Sequence, residues 1–338
     1  MSKITIAIPT FNREKEIKRQ ISFLLTIIDE DFTILVIDNA SDVPVSSIFD
    51  ESVINLSKKK LSIYRNDVNI GGYANVLRCF ERCETEYLWI IGDDNSIKED
   101  FIHSIKKSVD NFPQHDLLHF GYPINTPQSG RELDNYISAI TNYSHFISLP
   151  NTIYKTSAAR KFIGLGYRYA YSGSPQSVIS LAIADTDSLF VFLPTELINK
   201  NPVESSERWS FIDVALGAPI LCEIPLVWDI KTKINFMHKI QKGYSLEALT
   251  QQFNLMAIQN QPEALYLFDV STNRLFTYKS FSLYIRIFLY RFLVKFPRLG
   301  YNVIRLVFNF LIKYSPNKIH ARSDIFEEIT LPDRRKRM

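Results

Sequence analysis

The sequence predicts an α/β fold built on a mostly parallel sheet flanked by helices, and three observations carry that prediction. Short apolar runs alternate with helical patterns through residues 3–100, and four of those runs end in polar or acidic residues. The last of the four, Tyr87-Leu88-Trp89-Ile90-Ile91, stops abruptly at Gly92-Asp93-Asp94-Asn95. Alternation at this spacing implies right-handed βαβ crossovers. A parallel sheet then gathers the strand ends on one edge, where α/β proteins bind their ligands.

Taken in order, Ile4–Ile8 is a short strand ended by Pro9. Asn12 is placed to cap a helix from about Arg13 to Ile28, with Ile17, Ile21, Leu24, Leu25 and Ile28 on one face. Phe32–Ile37 is the second strand and ends in Asp38-Asn39-Ala40-Ser41-Asp42; Leu61–Tyr64 is the third, followed by Arg65-Asn66. Gly71-Gly72 opens a helix to about Cys83, and Tyr87–Ile91 is the fourth strand.

Beyond residue 100 the pattern loosens. Phe101–Val109 and Ser177–Ala184 are expected as helices, and Asp116–Phe120, Phe146–Tyr154 and Leu189–Leu193 as strands. Gly121–Asn142 and Asn199–Glu207 are polar, turn-rich stretches expected as loops, the first of them mobile. No repeat or low-complexity tract is visible.

Composition narrows the class. Hydrophobic residues make up 46% of the 338, enough for a globular core. Cys79, Cys83 and Cys222 fit neither a disulfide framework nor a metal-ligand spacing, which points to buried thiols in a reducing compartment. Met1-Ser2-Lys3 runs straight into the first strand, so no secretion signal is expected.

The net charge of +3 conceals an asymmetry: residues 279–338 carry 13 Lys/Arg against 4 Asp/Glu, and the remainder is acidic. Within that tail Phe281–Phe296 and Tyr301–Tyr314 are dense in aromatic and aliphatic residues but broken by Arg286, Arg291, Lys295, Arg305 and Lys313. A membrane span needs roughly 20 mostly apolar residues, and cations recur too often here for that. Basic amphipathic helices lying in the headgroup plane fit better, with Arg334-Arg335-Lys336-Arg337 adding attraction for anionic lipid. The competing reading is two helices that pack on the domain as ordinary structure. Nucleic acid is disfavoured as a partner, because no recognised nucleic-acid module accompanies the charge. The expected organisation is two halves of one α/β domain at 1–100 and 101–230, a connecting helical region at 231–278, and the membrane-associating tail at 279–338.

The adjacent carboxylates of Asp93 and Asp94 are hard oxygen donors that suit Mg²⁺ or Mn²⁺, and such an ion suits a diphosphate. Read alone, the same residues make an acidic turn after a strand. Their company decides between the two. Ile8-Pro9-Thr10-Phe11-Asn12-Arg13, Val36-Ile37-Asp38-Asn39-Ala40-Ser41-Asp42, Asn69-Ile70-Gly71-Gly72 with Asn75, and Gly92-Asp93-Asp94-Asn95 together resemble the family-2 glycosyltransferases of the Rossmann-like GT-A fold. The resemblance covers residues 3–100 well and is nearest in flavour to bacterial enzymes of O-antigen or capsular polysaccharide synthesis.

That resemblance implies a set of roles. Pro9, Thr10 and Arg13 would line the nucleotide pocket, and Asp38 would accept a hydrogen bond from the base or ribose. Gly71 and Gly72 would allow close backbone approach beside the nucleotide. Asp94 would coordinate the divalent ion, and Asp93 would contact ribose or a metal-bound water. Gly92 stands where many members carry the first Asp, and Asn95 where many carry a further one. The family usually places its catalytic base in an acidic pair opening a helix in the second half. The corresponding Ser172-Gly173-Ser174-Pro175-Gln176 has no acid. Ser205-Ser206-Glu207-Arg208-Trp209 resembles a reduced Q-x-x-R-W motif, with Glu207 as substitute base and Arg208 facing the diphosphate. Its competing reading is an exposed ion pair and a core Trp.

The expectation is therefore an inverting, metal-dependent glycosyltransferase, peripheral at the cytoplasmic face of the plasma membrane. It would take a nucleotide-sugar donor and a saccharide acceptor carried on a lipid diphosphate. The alternative is a non-catalytic nucleotide-sugar-binding or membrane-associated member of the same fold. A nucleotidyltransferase or dinucleotide oxidoreductase would need a Gly-rich loop after the first strand, and Pro9-Thr10-Phe11-Asn12 is not one.

Overall fold

A computed structural model of the chain describes residues 3–49, 60–199 and 217–242. Their centre is an eight-stranded mixed sheet. Its first half is parallel, as the strand–helix alternation requires. β1 (Ile4–Thr10) lies between β2 (Phe32–Asp38) and β4 (Tyr87–Ile90), and β3 (Leu61–Arg65) pairs with β2, all in parallel. The register sets Thr10 beside Asp38 and Asp38 beside Arg65, so the chemistry-bearing ends arrive at one edge.

β1 runs two residues further than the sequence suggests, through Pro9. The Thr10 carbonyl accepts from Asn39 N–H on the β2 side, so Pro9 turns its missing donor toward β4, whose pairing with β1 ends at Ile90. A proline is tolerated where no ladder bond is lost.

Alternation along β1, β2 and β4 sends Ile4, Ile6, Ile8, Phe32, Ile34, Val36, Tyr87 and Trp89 into one core cluster. Helix α1 (Glu14–Ile27) covers it with Ile17, Ile21 and Leu24, and α3 (Phe101–Asn111) with Phe101, Ile105 and Val109. The opposite face is covered by α2 (Gly72–Arg82), which packs on β1, β2 and β4 and buries Val76, Leu77 and Phe80.

Asn12 does not cap α1. Arg13 holds that position, without a side-chain bond, and Asn12 sits at φ +53° with its amide turned to Asp42. A local capping rule loses here to a bond between two loops.

The second half mixes directions. β5 (His115–His119) runs parallel to β8 (Leu189–Phe192), while β7 (Thr152–Lys155) is inserted antiparallel between β4 and β5. The strand expected over Phe146–Tyr154 is thus mostly something else. Tyr143–Phe146 is a helical turn and Leu149–Asn151 a 3₁₀ turn around Pro150 before β7 begins.

Gly121–Asn142 is likewise not one loop. Gln128–Gly130 forms β6, antiparallel to β8 at the sheet edge, and Leu133–Ala139 forms α4. Leu133, Tyr136, Ile137 and Ile140 are buried, but two helical turns among turn residues are too short for the period to stand out. The Tyr136 hydroxyl meets His119 Nε2 at 2.8 Å, and Thr152 Oγ1 meets its Nδ1 at 2.9 Å. Burial pushes the His119 imidazole down to about 3, so it is a neutral core group.

The helix expected over Ser177–Ala184 starts earlier, at Pro175, and is buried on every side. Cys79, Cys83 and Cys222 are free and buried. Among the described residues no helix is long and apolar enough to cross a membrane. The basic tail at 279–338 lies outside the described residues.

Replacing Tyr136 by Phe leaves a buried His119 nitrogen without a partner. The expected loss is about 1–3 kcal/mol, read as a lower urea midpoint with an unchanged slope.

Candidate active site

Four segments converge on the C-terminal edge of the parallel strands: the turn after β1, the loop after β2, the entry to α2, and the turn after β4. Asp93 is buried just beyond β4. Thr10 Oγ1 donates to its Oδ2 at 2.6 Å, and Arg13 Nη1 donates to its Oδ1 at 2.8 Å. The same Arg13 nitrogen reaches Asp94 Oδ2 at 3.2 Å. Burial and the neighbouring Asp94 charge push the Asp93 carboxyl up, and Thr10 and Arg13 oppose them without cancelling the rise.

Gly92 and Asn95 shape this turn. Asn95 Oδ1 reaches back three residues to accept from the Gly92 N–H at 2.7 Å, which closes the turn. A Cβ on Gly92 would stand 2.9 Å from Asp94 Oδ1 and 3.3 Å from Asn95 Oδ1. The glycine at this position lets both side chains fold back over the backbone. The Asn95 carbonyl is committed to the turn.

Asp38 is fully buried. Ser41 N–H donates to its Oδ1 at 2.9 Å, while Val45 N–H at 3.2 Å and Arg65 Nη1 at 2.7 Å donate to its Oδ2. Burial pushes the carboxyl up, but the Ser41 hydroxyl and N–H, Arg65 and Val45 together hold it below the usual carboxylate range. Three donors therefore hold the carboxylate, one on Oδ1 and two on Oδ2. Arg65 itself is 39% exposed at this edge.

The loop after β2 is tied to the turn after β1. Asn12 N–H donates to Ser41 Oγ at 3.0 Å, and Asp42 N–H to Asn12 Oδ1 at 2.8 Å. Asn12 and Ala40 both take positive φ, so non-glycine backbone strain sits at this edge.

An asparagine lattice, which sequence reasoning did not single out beyond Asn69 and Asn75, holds the segment leading into α2. Asn39 Nδ2 donates to Asn69 Oδ1, and Asn66 Nδ2 donates to Asn39 Oδ1 and Asn75 Oδ1. Asn75 Nδ2 reaches the Ile37 carbonyl. The available signal was the recurrence of Asn immediately after strand ends. The lattice sets Gly71, at φ +84°, and Gly72 where a Cβ on either would meet nothing within 4 Å. The backbone there faces open space.

Pro9, Thr10, Arg13, Asp38, Gly71, Gly72, Asp93 and Asp94 are thus drawn to one edge by three strand ends and one helix start. Glu207 and Arg208 lie outside the described residues. Ser172-Gly173-Ser174-Pro175-Gln176 is described and largely buried, with Gln176 Nε2 on the Ile147 carbonyl, and it presents no carboxylate. Asp185 accepts from Val227 N–H, and His145 Nε2 bonds the Phe120 carbonyl, so both serve the fold.

Two adjacent carboxylates, one of them 31% exposed, match the way Mg²⁺ and Mn²⁺ are held by one or two carboxylates plus substrate phosphates. Among the described residues no group of three or more His, Cys, Asp or Glu is positioned to hold a metal.

This geometry coincides with a family match. Residues 5–158 match the model described as Glycosyl transferase family 2. Over that stretch the chain is similar to the family-2 glycosyltransferases. The sheet and its flanking helices are correspondingly those of the GT-A fold. TarS residues 1–349 from S. aureus superpose with a TM-score of 0.52 at 15% identity, covering 88% of this chain and 92% of that one. The same TarS fragment in complex with UDP-GlcNAc gives 0.51 at 17% identity, with the same coverages. A longer TarS chain gives 0.56 at 13% identity, and the match covers 53% of it, so this chain spans about half its length. At such identities the likeness is one of fold. No curated protein matches the sequence.

Because the Asp38 carboxyl is held low, its stabilising bonds are complete above the unfolded-state value of about 3.9 and are lost as pH falls through the lower folded value. Asp38→Asn is expected to lose about 2 kcal/mol near pH 7. That deficit should shrink progressively as pH falls below about 4, measured by urea denaturation across the acid range.

Proposed function

We propose that this protein is an inverting glycosyltransferase that moves a sugar from a nucleotide-sugar donor to a saccharide acceptor in bacterial surface polysaccharide synthesis. The observation that carries the reading is the Asp93–Asp94 pair, with Arg13 and Thr10 on it, at the open edge of a family-2 sheet. The TarS fragment that shares the fold was solved with UDP-GlcNAc, which supports a sugar nucleotide as donor class.

In this reading the nucleotide lies along the edge from Arg65 and the Gly71-Gly72 backbone to Asp94. Thr10 and Arg13 orient Asp93 and favour its charged form against the burial that pushes its carboxyl up. Asp94, the more exposed carboxylate, is the residue that would hold Mn²⁺ or Mg²⁺, with Asp93 steadying that turn. The ion, when bound, balances charge on the departing diphosphate. Arg13 supplies a second cation within reach of the same phosphates. The acceptor hydroxyl attacks the anomeric carbon from the face opposite the diphosphate and surrenders its proton to a carboxylate. We assign that base to Glu207, with Arg208 directed at the diphosphate, because the helix starting at Pro175 opens without an acid.

The basic, aromatic tail supports a membrane-surface location and an acceptor held on a lipid diphosphate at the cytoplasmic face. The absence of an acid at 172–176 also favours a second reading, a member that binds nucleotide-sugar without transferring it.

A thermal-shift panel of nucleotide-sugars with and without Mn²⁺ tests the donor. One donor at about 100-fold over its Kd should stabilise the protein by about 2.7 kcal/mol only with metal, and Asp94→Ala should abolish the shift. No shift with any donor would sink the donor assignment. Metal-dependent release of free nucleotide from that donor separates transferase from binder.

For the tail, the full chain should co-sediment with phosphatidylglycerol vesicles and not with neutral ones, weakening as salt rises. A chain lacking 279–338 should remain in the supernatant. Equal sedimentation of both would remove the tail from the membrane reading.

A further inference from the structure

Arg13 occupies the place where a divalent ion and a protein cation compete. Its Nη1 donates to Asp93 Oδ1 at 2.8 Å and to Asp94 Oδ2 at 3.2 Å, and only 18% of the side chain is exposed. One positive charge is thereby shared between two anions. Asp93 has both oxygens engaged, since Thr10 Oγ1 holds the other. Asp94 is less committed, being more exposed and bonded only through Oδ2 to this guanidinium among the bonds described.

A cation arriving at Asp94 meets a guanidinium already seated there, and two cations cannot share the pair at contact distance without repulsion. Guanidinium is, however, equally matched to phosphate: its N–H groups form charge-assisted pairs with either anion. The turn that carries Arg13 is anchored by Asn12 to Ser41 and Asp42, so a change of partner by the guanidinium leaves this backbone in place.

We propose that Arg13 is an exchangeable counter-cation of the Asp93–Asp94 pair. In the free protein it shields the two carboxylates from divalent ions. When a nucleoside diphosphate arrives, the guanidinium transfers to the phosphates and the pair becomes available to the ion. Diphosphate and metal binding are then positively coupled through one side chain, and coupling of this kind is reciprocal. The inference rests on the donor and ion assignments of the preceding section, yet its decisive test needs no donor and no turnover.

The test is a Mn²⁺ titration of the full chain without nucleotide, followed by the paramagnetic resonance signal of the free ion. Arg13→Met should bind Mn²⁺ about tenfold more tightly than the unaltered protein, the scale of one partly buried ion pair. Arg13→Lys, which retains a point charge without the fork, should fall between them and keeps the comparison decisive if the Met variant does not fold. Adding Asp94→Asn to Arg13→Met should cancel the gain. Equal or weaker Mn²⁺ binding in the Arg13 variants overturns the proposal, and so does a gain that survives Asp94→Asn. A gain that appears while the nucleotide-sugar panel stays silent supports the counter-cation role and rejects the donor assignment alone.

Discussion

Burying two carboxylates at the open edge of a parallel sheet is the constraint from which the rest of this structure follows. An ion removed from water costs several kcal/mol unless its charge and lone pairs are met. Asp38 and Asp93 sit at that edge because β1, β2 and β4 are parallel and in register, with Thr10 level with Asp38. Each is answered from a neighbouring segment: Asp38 by the Ser41–Val45 loop and Arg65, Asp93 by Thr10 and Arg13. The loops at this edge are therefore held by the charges they surround.

The two carboxylates differ in how that compensation comes out. Backbone N–H groups and a guanidinium overcome burial at Asp38 and hold it low, whereas at Asp93 burial wins despite a hydroxyl and a guanidinium. Asp38 consequently acts as an anchor, held by two backbone N–H groups and Arg65. Asp93 and Asp94 form the responsive half of the edge, sharing a single cation whose side chain also suits phosphate. A static anchor beside an exchangeable pair is a sensible division for the proposed nucleotide-diphosphate site.

The apolar strands of the first half were legible because their burial on both faces produces continuous hydrophobic runs ending in polar residues. The family blocks at 8–13, 36–42, 69–75 and 92–95 lie where chain direction changes, and such turns leave residue-type signatures. Elements of the second half were less legible. Leu133–Ala139 is two turns of helix inside a polar stretch, and its reason for being helical is Tyr136 meeting His119 from another strand. Asn12 has the composition of a helix cap but is claimed by Asp42 in another loop, a contact 30 residues away.

By itself the sequence determined the α/β class, the parallel first half, and the edge at which the polar strand ends meet. These follow from periodicity and from turn chemistry, which are local in the chain. Only the tertiary structure decided that Arg13 bridges Asp93 and Asp94 and that Asp38 is held by its own loop together with Arg65 of β3. It also decided that β7 runs antiparallel through the middle of the sheet and that Asn39, Asn66, Asn69 and Asn75 form one lattice. Those facts depend on which distant segments meet, and burial sets their energies. Neither quantity is written in the spacing of residues along one strand.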